Sequence, residues 1–397
     1  MRNDTHDPWS SSLCALGLAA AASALGAGCV GSGGDAANGA ADAVGDAGLE
    51  AAYDSLPPLL VMGDAAPEAA AESGVPGTWS AQSVPLMLTA VWGSGPVDAW
   101  IANASGGPEG ALLHWDGSAW APAQGVPFGA SHGVWGSGPD DLWTTLTPYG
   151  GPGHWDGHTW TVVDTGGVGF VQAVWGNGPN DVWAVGHDGS FGQWGFIQHF
   201  DGHAWTDASP FLQQQSNAFT AHNVSAGFSG LGGSGPDDVW AVGPGSYSLN
   251  ASLDAIAHWD GTAWSASVPK SGHRYSAVWA SSQSDAWAVG DAVRHWDGTS
   301  WSTSLEGSDA GLPNFGEAPP YNGVWGSGPN DVWVVGDHGT ILHWNGAAWS
   351  PVASGTTDDL YGVWGSGPFD VWVVGDHGTI LHYALPPAGP CSLDCPG

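Results

Sequence analysis

Seven aspartates and seven histidines recur in step along this chain: Asp98, Asp141, Asp181, Asp238, Asp285, Asp331 and Asp370, and His114, His154, His199, His258, His295, His343 and His382. Each of these aspartates stands two residues before a tryptophan, the first being Trp100 and the last Trp372. A carboxylate and an imidazole at matched places could run acid–base chemistry, and a ring of imidazoles could ligate metal. The 38 Asp and Glu also offer carboxylate pairs of the kind that hydrolyse glycosides. Cations are scarce: beyond Arg2, the chain holds only Lys270, Arg274 and Arg294. A further group mixes aromatics with amides: Trp194, Phe196, Phe211, Gln213, Gln214, Gln215, Phe219, His222, Asn223, Phe228, Tyr247 and Asn250. Such a mixture stacks on and hydrogen-bonds a glycan or a protein segment, with Arg274 close by to orient an anionic group.

The elements that must hold these residues are repeats. The clearest copy runs Val324-Trp325-Gly326-Ser327-Gly328-Pro329-Asn330-Asp331-Val332-Trp333-Val334-Val335-Gly336, followed by Ile341-Leu342-His343-Trp344-Asn345-Gly346-Ala347-Ala348-Trp349. The second Trp of the unit recurs at Trp100, Trp143, Trp183, Trp240, Trp287, Trp333 and Trp372, about 39 to 57 residues apart, which is the spacing of propeller blades. Each unit reads as four short strands, with a Gly-Ser-Gly-Pro turn after the first. An Asp-Gly step between the third and fourth predicts a tight type I′ hairpin, in which Gly takes positive φ. The expected fold is therefore all-β: a seven-bladed β-propeller of four-stranded antiparallel blades over residues 77–385. The seventh unit stops at His382-Tyr383, while Gly77-Thr78-Trp79-Ser80 precedes the first as a fourth strand with no blade of its own. That strand is expected to complete the last blade and remove the exposed sheet edges.

These Trp-rich units resemble the repeats of exported bacterial propeller proteins, in the style of Kelch, Asp-box and WD-repeat propellers. The resemblance covers about residues 78–385 and implies the fold while leaving function open. In WD-repeat propellers a buried His–Asp network knits each blade, and the resemblance implies that part for the seven Asp–His sets. Metal ligation is disfavoured because the histidines fall on third strands, away from the central channel and from one another. Of the 27 Trp, 25 sit at repeat-equivalent places, all but Trp9 and Trp194, and so read as filling between blades. Asp337-His338-Gly339 and Asp376-His377-Gly378 read as turn formers. Sialidase-like and quinone-dependent propellers need cations that this chain lacks, and a copper-radical oxidase needs a Cys that the repeats lack. No catalytic residue, metal or cofactor is assigned.

Connection lengths separate two faces. First to second Trp spans 8 residues, with Gly232 in the place of Trp in the fourth unit, and His to closing Trp spans 6. Second Trp to His varies from 8 to 18, and closing Trp to the next unit reaches 27 after Trp205 and 24 after Trp301. In an antiparallel blade the two constant turns share one face and the two variable connections the other. Elaboration confined to one face of a repeat array marks a binding surface. The leading expectation is a recognition or adhesion scaffold binding a glycan or protein through Trp194, Phe196, Phe211, Gln214, Phe219, His222, Tyr247 and Arg274. The alternatives are an extracellular carbohydrate-active hydrolase or lyase using acids near the channel, and a structural partner in an envelope assembly.

The ends of the chain concern location. Leu13–Ala27 is an uncharged Leu/Ala/Gly run, too short for a membrane span, and 1–28 reads as a signal peptide. Leu25-Gly26-Ala27-Gly28-Cys29 resembles a bacterial lipoprotein cleavage box, which implies lipidation of Cys29 and an outer-membrane or cell-surface location, or secretion without it. Residues 29–76 are rich in Ala, Gly, Asp and Pro and read as a disordered tether with a span of roughly 35–40 Å. Cys391 and Cys395, in the tail 386–397, could close a small disulfide loop. The net charge of −34 disfavours nucleic acid and direct contact with an acidic membrane, leaving membrane association to the lipid anchor. The expected state is a monomer.

Overall fold

A computed structural model describes residues 77–106, 110–127, 129–147, 151–165, 169–187, 195–209, 227–243, 255–266, 273–306 and 321–386. All belong to the compact unit Pro57–Gly397. The expected signal peptide, tether, Cys29, Cys391 and Cys395 lie outside the described residues.

Among the described residues, twenty-eight strands form seven four-stranded sheets. Six blades are built in sequence order: β2–β5, β6–β9, β10–β13, β14–β17, β18–β21 and β22–β25. They begin at Leu88, Val134, Phe170, Gly230, Tyr275 and Tyr321. The seventh has the order β1-β28-β27-β26, with β26 at Leu360–Gly367 and β27 at Asp370–Gly375, so β1 (Thr78–Ser83) is the outer strand beside β28 (Thr379–Ala384). Trp79 pairs with Tyr383, whose hydroxyl accepts the N–H of Gly77 at 2.7 Å. The ring is closed by a strand from the opposite end of the sequence, as the repeat pattern required.

Period-two alternation places Val and Ile toward the next blade, and apolar clusters fill each interface between neighbouring sheets. The tryptophans make these interfaces specific. Each closing Trp meets the second Trp of the preceding blade edge to face: Trp120 with Trp372, Trp160 with Trp100, Trp205 with Trp143, Trp264 with Trp183, Trp301 with Trp240, Trp349 with Trp287 and Trp79 with Trp333. Centroids lie 5.2–6.3 Å apart and planes cross at 67–89°. This geometry puts a positive ring edge on a negative face. Trp79 supplies the seventh contact of the circle.

The hairpin between third and fourth strands differs from the expected two-residue type I′ turn. Trp115 pairs with Trp120, so four residues, Asp116 to Ala119, form the connection. Gly117 does take positive φ, +90°. The Asp116 carboxylate accepts the backbone N–H of Ser118 and Ala119 at 2.8 and 2.9 Å. That capping of two amides by one side chain stabilises the longer loop. Asp156, Asp201, Asp260, Asp297 and Asn345 repeat it.

Candidate functional site

The constant face is occupied by structure. In every blade the third-strand His places Nε2 2.6–2.7 Å from Oδ1 of the second-strand Asp. The imidazole lies against the second Trp, with centroids 3.8–4.3 Å apart. In six blades the other carboxylate oxygen accepts a serine hydroxyl, from Ser94, Ser137, Ser234, Ser281, Ser327 or Ser366. Ser, Asp and His are thus together, but in the wrong order for nucleophilic catalysis. The hydroxyl donates to the carboxylate and the imidazole faces that same carboxylate, so no base faces the serine. Burial opposes ionisation of Asp98, Asp238, Asp285 and Asp370, yet the bonds from His and Ser outweigh it and hold each below the usual carboxylate range. These sets fasten blades.

The other face carries the connections between second and third strands and between successive blades. Of the residues expected to bind there, Trp194, Phe211, Gln214, Phe219, His222 and Tyr247 lie outside the described residues. Phe196 is described, in β12 (Gly195–Phe200), and its ring is only 7% exposed within the cluster that includes Trp143, Val171 and Val174. It packs blade 3 onto blade 2, because alternation along β12 turns it inward. Phe228 is buried likewise, against Trp183 and Val185. Arg274 does reach the surface, where its guanidinium binds both oxygens of Asp291 at 2.8–3.2 Å. Arg294, in β20 (Ala292–Trp296), is buried at the place held by Leu113, Leu342 and Leu381 in other blades.

The described part of this face has a feature that sequence reasoning assigned to turns alone. Asp337 and His338, in the connection from β23 (Asp331–Gly336) to β24 (Thr340–Trp344), meet Asp359, just before β26 (Leu360–Gly367). One ligand-type atom from each lies within 4.8 Å of the others. Asn322 Nδ2 donates to Asp337 at 2.8 Å, and the His338 N–H donates to Asp359 at 2.8 Å. The backbone N–H of Asp376 donates to the Asp359 carbonyl at 2.8 Å, and its carboxylate accepts the Tyr361 hydroxyl at 3.1 Å. Burial first, and then the charges of Asp359 and Asp376, push Asp337 above the usual carboxylate range despite the bond from Asn322. Burial and Asp376 push the Tyr361 phenol up as well. His338 and His377 take φ of +57° and +52°, so both Asp-His-Gly segments do form turns. A cavity of about 790 Å³ opens beside His338, lined also by Thr340, Ile341, Val352, Ser354 and Thr356.

No protein-family model matches the chain, and no curated protein does. Solved propellers resemble it in fold. The structure of YCF48 bound to D1 peptide superposes with a TM-score of 0.57 at 16% identity, covering 81% of this chain and 99% of that one. YCF48 from Cyanidioschyzon merolae gives 0.57 at 15% identity, over 77% and 98%. The RRP9 WD40 repeats give 0.59 at 9% identity, over 82% and 100%.

Proposed function

We propose that this propeller is a recognition scaffold that takes a peptide or protein segment on the face carrying its variable connections. One observation carries the reading: the constant turns are held by Asp–His–Ser bonds and Asp-capped loops, while every length change falls on the opposite face. A rigid ring with one diversified face suits binding better than turnover. The cavity beside His338 lies between two connections of that face. YCF48, a propeller of similar fold, is bound to a peptide in one of its structures. Trp194, Phe211, Gln214, Phe219, His222 and Tyr247 would add stacking and amide contacts, and a glycan is the second ligand class such residues suit. Export by residues 1–28 and lipidation of Cys29 would present a monomeric propeller at the cell surface, a reading that rests on the sequence of the segment alone.

Peptide and glycan arrays probed with the full-length protein test this. Expected is saturable binding that is lost when 210–226 is shortened to the ordinary spacing, and kept when His158 or His203 on the constant face is changed to Ala. Binding that maps to the constant face would overturn the reading. So would turnover of a glycan abolished by one carboxylate substitution.

A further inference from the structure

Blades 5 and 7 use one place on the variable face for opposite charges. In blade 5, Arg274 stands just before β18 (Tyr275–Ser282) and binds Asp291 in the connection after β19 (Asp285–Gly290). Tyr275 pairs with Gly290 in that blade as Leu360 pairs with Gly375 in blade 7. Asp359 therefore holds the place of Arg274, and Asp376 that of Asp291. The backbone bond is repeated too: Asp291 N–H to Arg274 carbonyl at 3.0 Å, and Asp376 N–H to Asp359 carbonyl at 2.8 Å. Blade 7 has exchanged a resident cation for a second carboxylate, and blade 6 adds Asp337 and His338 from the adjoining connection. Of the arginines among the described residues, Arg274 binds Asp291 and Arg294 is buried in β20.

We propose that Asp337, His338 and Asp359 form a divalent metal site joining blades 6 and 7, taking a transition ion such as Zn²⁺ or Mn²⁺. Like charges held this close in partly buried groups repel, whereas at the equivalent place in blade 5 the carboxylate of Asp291 faces Arg274 instead of a second acid. A carboxylate pair with one imidazole is a mixed oxygen–nitrogen set, whereas Ca²⁺ and Mg²⁺ take oxygen ligands. Ligand atoms within 4.8 Å need only small side-chain rotations to meet one ion at about 2.0–2.2 Å. The ion would fix His338 at the edge of the cavity and reinforce the hydrogen bonds that already join the two blades, Asn322 to the Leu360 carbonyl and the His338 backbone N–H to Asp359. The site does not depend on what the face recognises.

The test is calorimetric titration of the metal-stripped full chain with MnCl₂ and, separately, ZnCl₂, at physiological ionic strength with excess Mg²⁺. Expected is one saturable site and a Tm raised by the bound ion; the Mn²⁺ arm separates this site from the cysteines, which prefer Zn²⁺. Asp337→Asn and Asp359→Asn keep shape and hydrogen-bonding capacity, and each should weaken binding at least about tenfold, the loss that even outer ligand partners cause. His338→Ala should do the same, and Asp358→Asn should leave affinity unchanged. Tm without metal identifies any variant that fails to fold, and the remaining ones then decide. Weak, non-saturating uptake by the unaltered protein, or unchanged affinity in folded variants of Asp337, His338 and Asp359, would overturn the site.

Discussion

Gly232 and Ala280, on the facing inner strands of blades 4 and 5, depart from the repeat together. In the other six blades the first Trp lays its ring against a glycine of the next blade, as Trp92 does on Gly136 and Trp325 on Gly365. A β-carbon on those glycines would stand 2.6–2.8 Å from the ring. Blade 4 has Gly232 in place of that Trp, and the residue its ring would cover is Ala280, buried with its β-carbon in place. The inner strands have closed the gap: a β-carbon on Gly232 would stand 2.3 Å from the Val278 carbonyl oxygen.

Restoring the repeat should therefore do harm. Gly232→Trp is expected to destabilise by at least about 1–3 kcal/mol, the range for overpacking, and Gly136→Ala likewise, whereas Ala280→Gly should cost about 1 kcal/mol or less. Denaturant midpoints of the full chain check this. A stabilised Gly232→Trp would show that the gap between these strands is open.

Closure of the ring gives a second expectation. Trp79 meets Trp333 edge to face at 5.8 Å and Tyr383 at 5.3 Å, and is 4% exposed. Trp79→Ala should cost about 3–5 kcal/mol, the range for a buried Trp, and should expose blade 7 to protease before the other blades. Limited proteolysis with mass mapping reads this out. First cleavage within blades 2 to 4 would contradict it.

The Asp–His pairs should differ in worth. Asp238 is the most buried of the seven aspartates and accepts Trp240 at 2.9 Å, Ser234 at 2.6 Å and His258 at 2.7 Å. Asp238→Ala strands all three groups and should cost about 3 kcal/mol or more. The pH dependence follows from sign. The folded-state pKa of Asp238 is depressed, so its contribution is complete above the unfolded carboxylate value of about 4 and is lost as pH falls through the lower folded-state value. The Tm difference between the unaltered protein and Asp238→Asn should shrink as pH falls below about 4. A difference that grows below pH 4 would contradict the assignment.

Much of the fold was legible in the chain because each blade writes the same pattern. The Asp–His–Trp spacing located seven sheets, and the unmatched Trp79 located the closing strand. The Asp-Gly hairpins were misread in length because a carboxylate capping two amides makes a four-residue loop as stable as a tight turn. Phe196 was misplaced because residue type alone does not tell which side of a strand faces the neighbouring blade. The Asp337, His338 and Asp359 group was hidden for another reason. Its members come from two blades, and each looks like turn chemistry until the sheets are set side by side. The only hint was that the Asp-His-Gly turn of blade 6 is followed, before the next inner strand, by Asp358-Asp359.

Hydrogen exchange on the full-length protein, with and without a saturating peptide selected from the array, tests the recognition reading most directly. The account predicts slowed exchange in the connections between second and third strands and between successive blades, with the Asp-capped hairpins at Gly117, Gly157, Gly202, Gly261, Gly298 and Gly346 unchanged. Slowed exchange centred on those hairpins would place the ligand on the opposite face and contradict it.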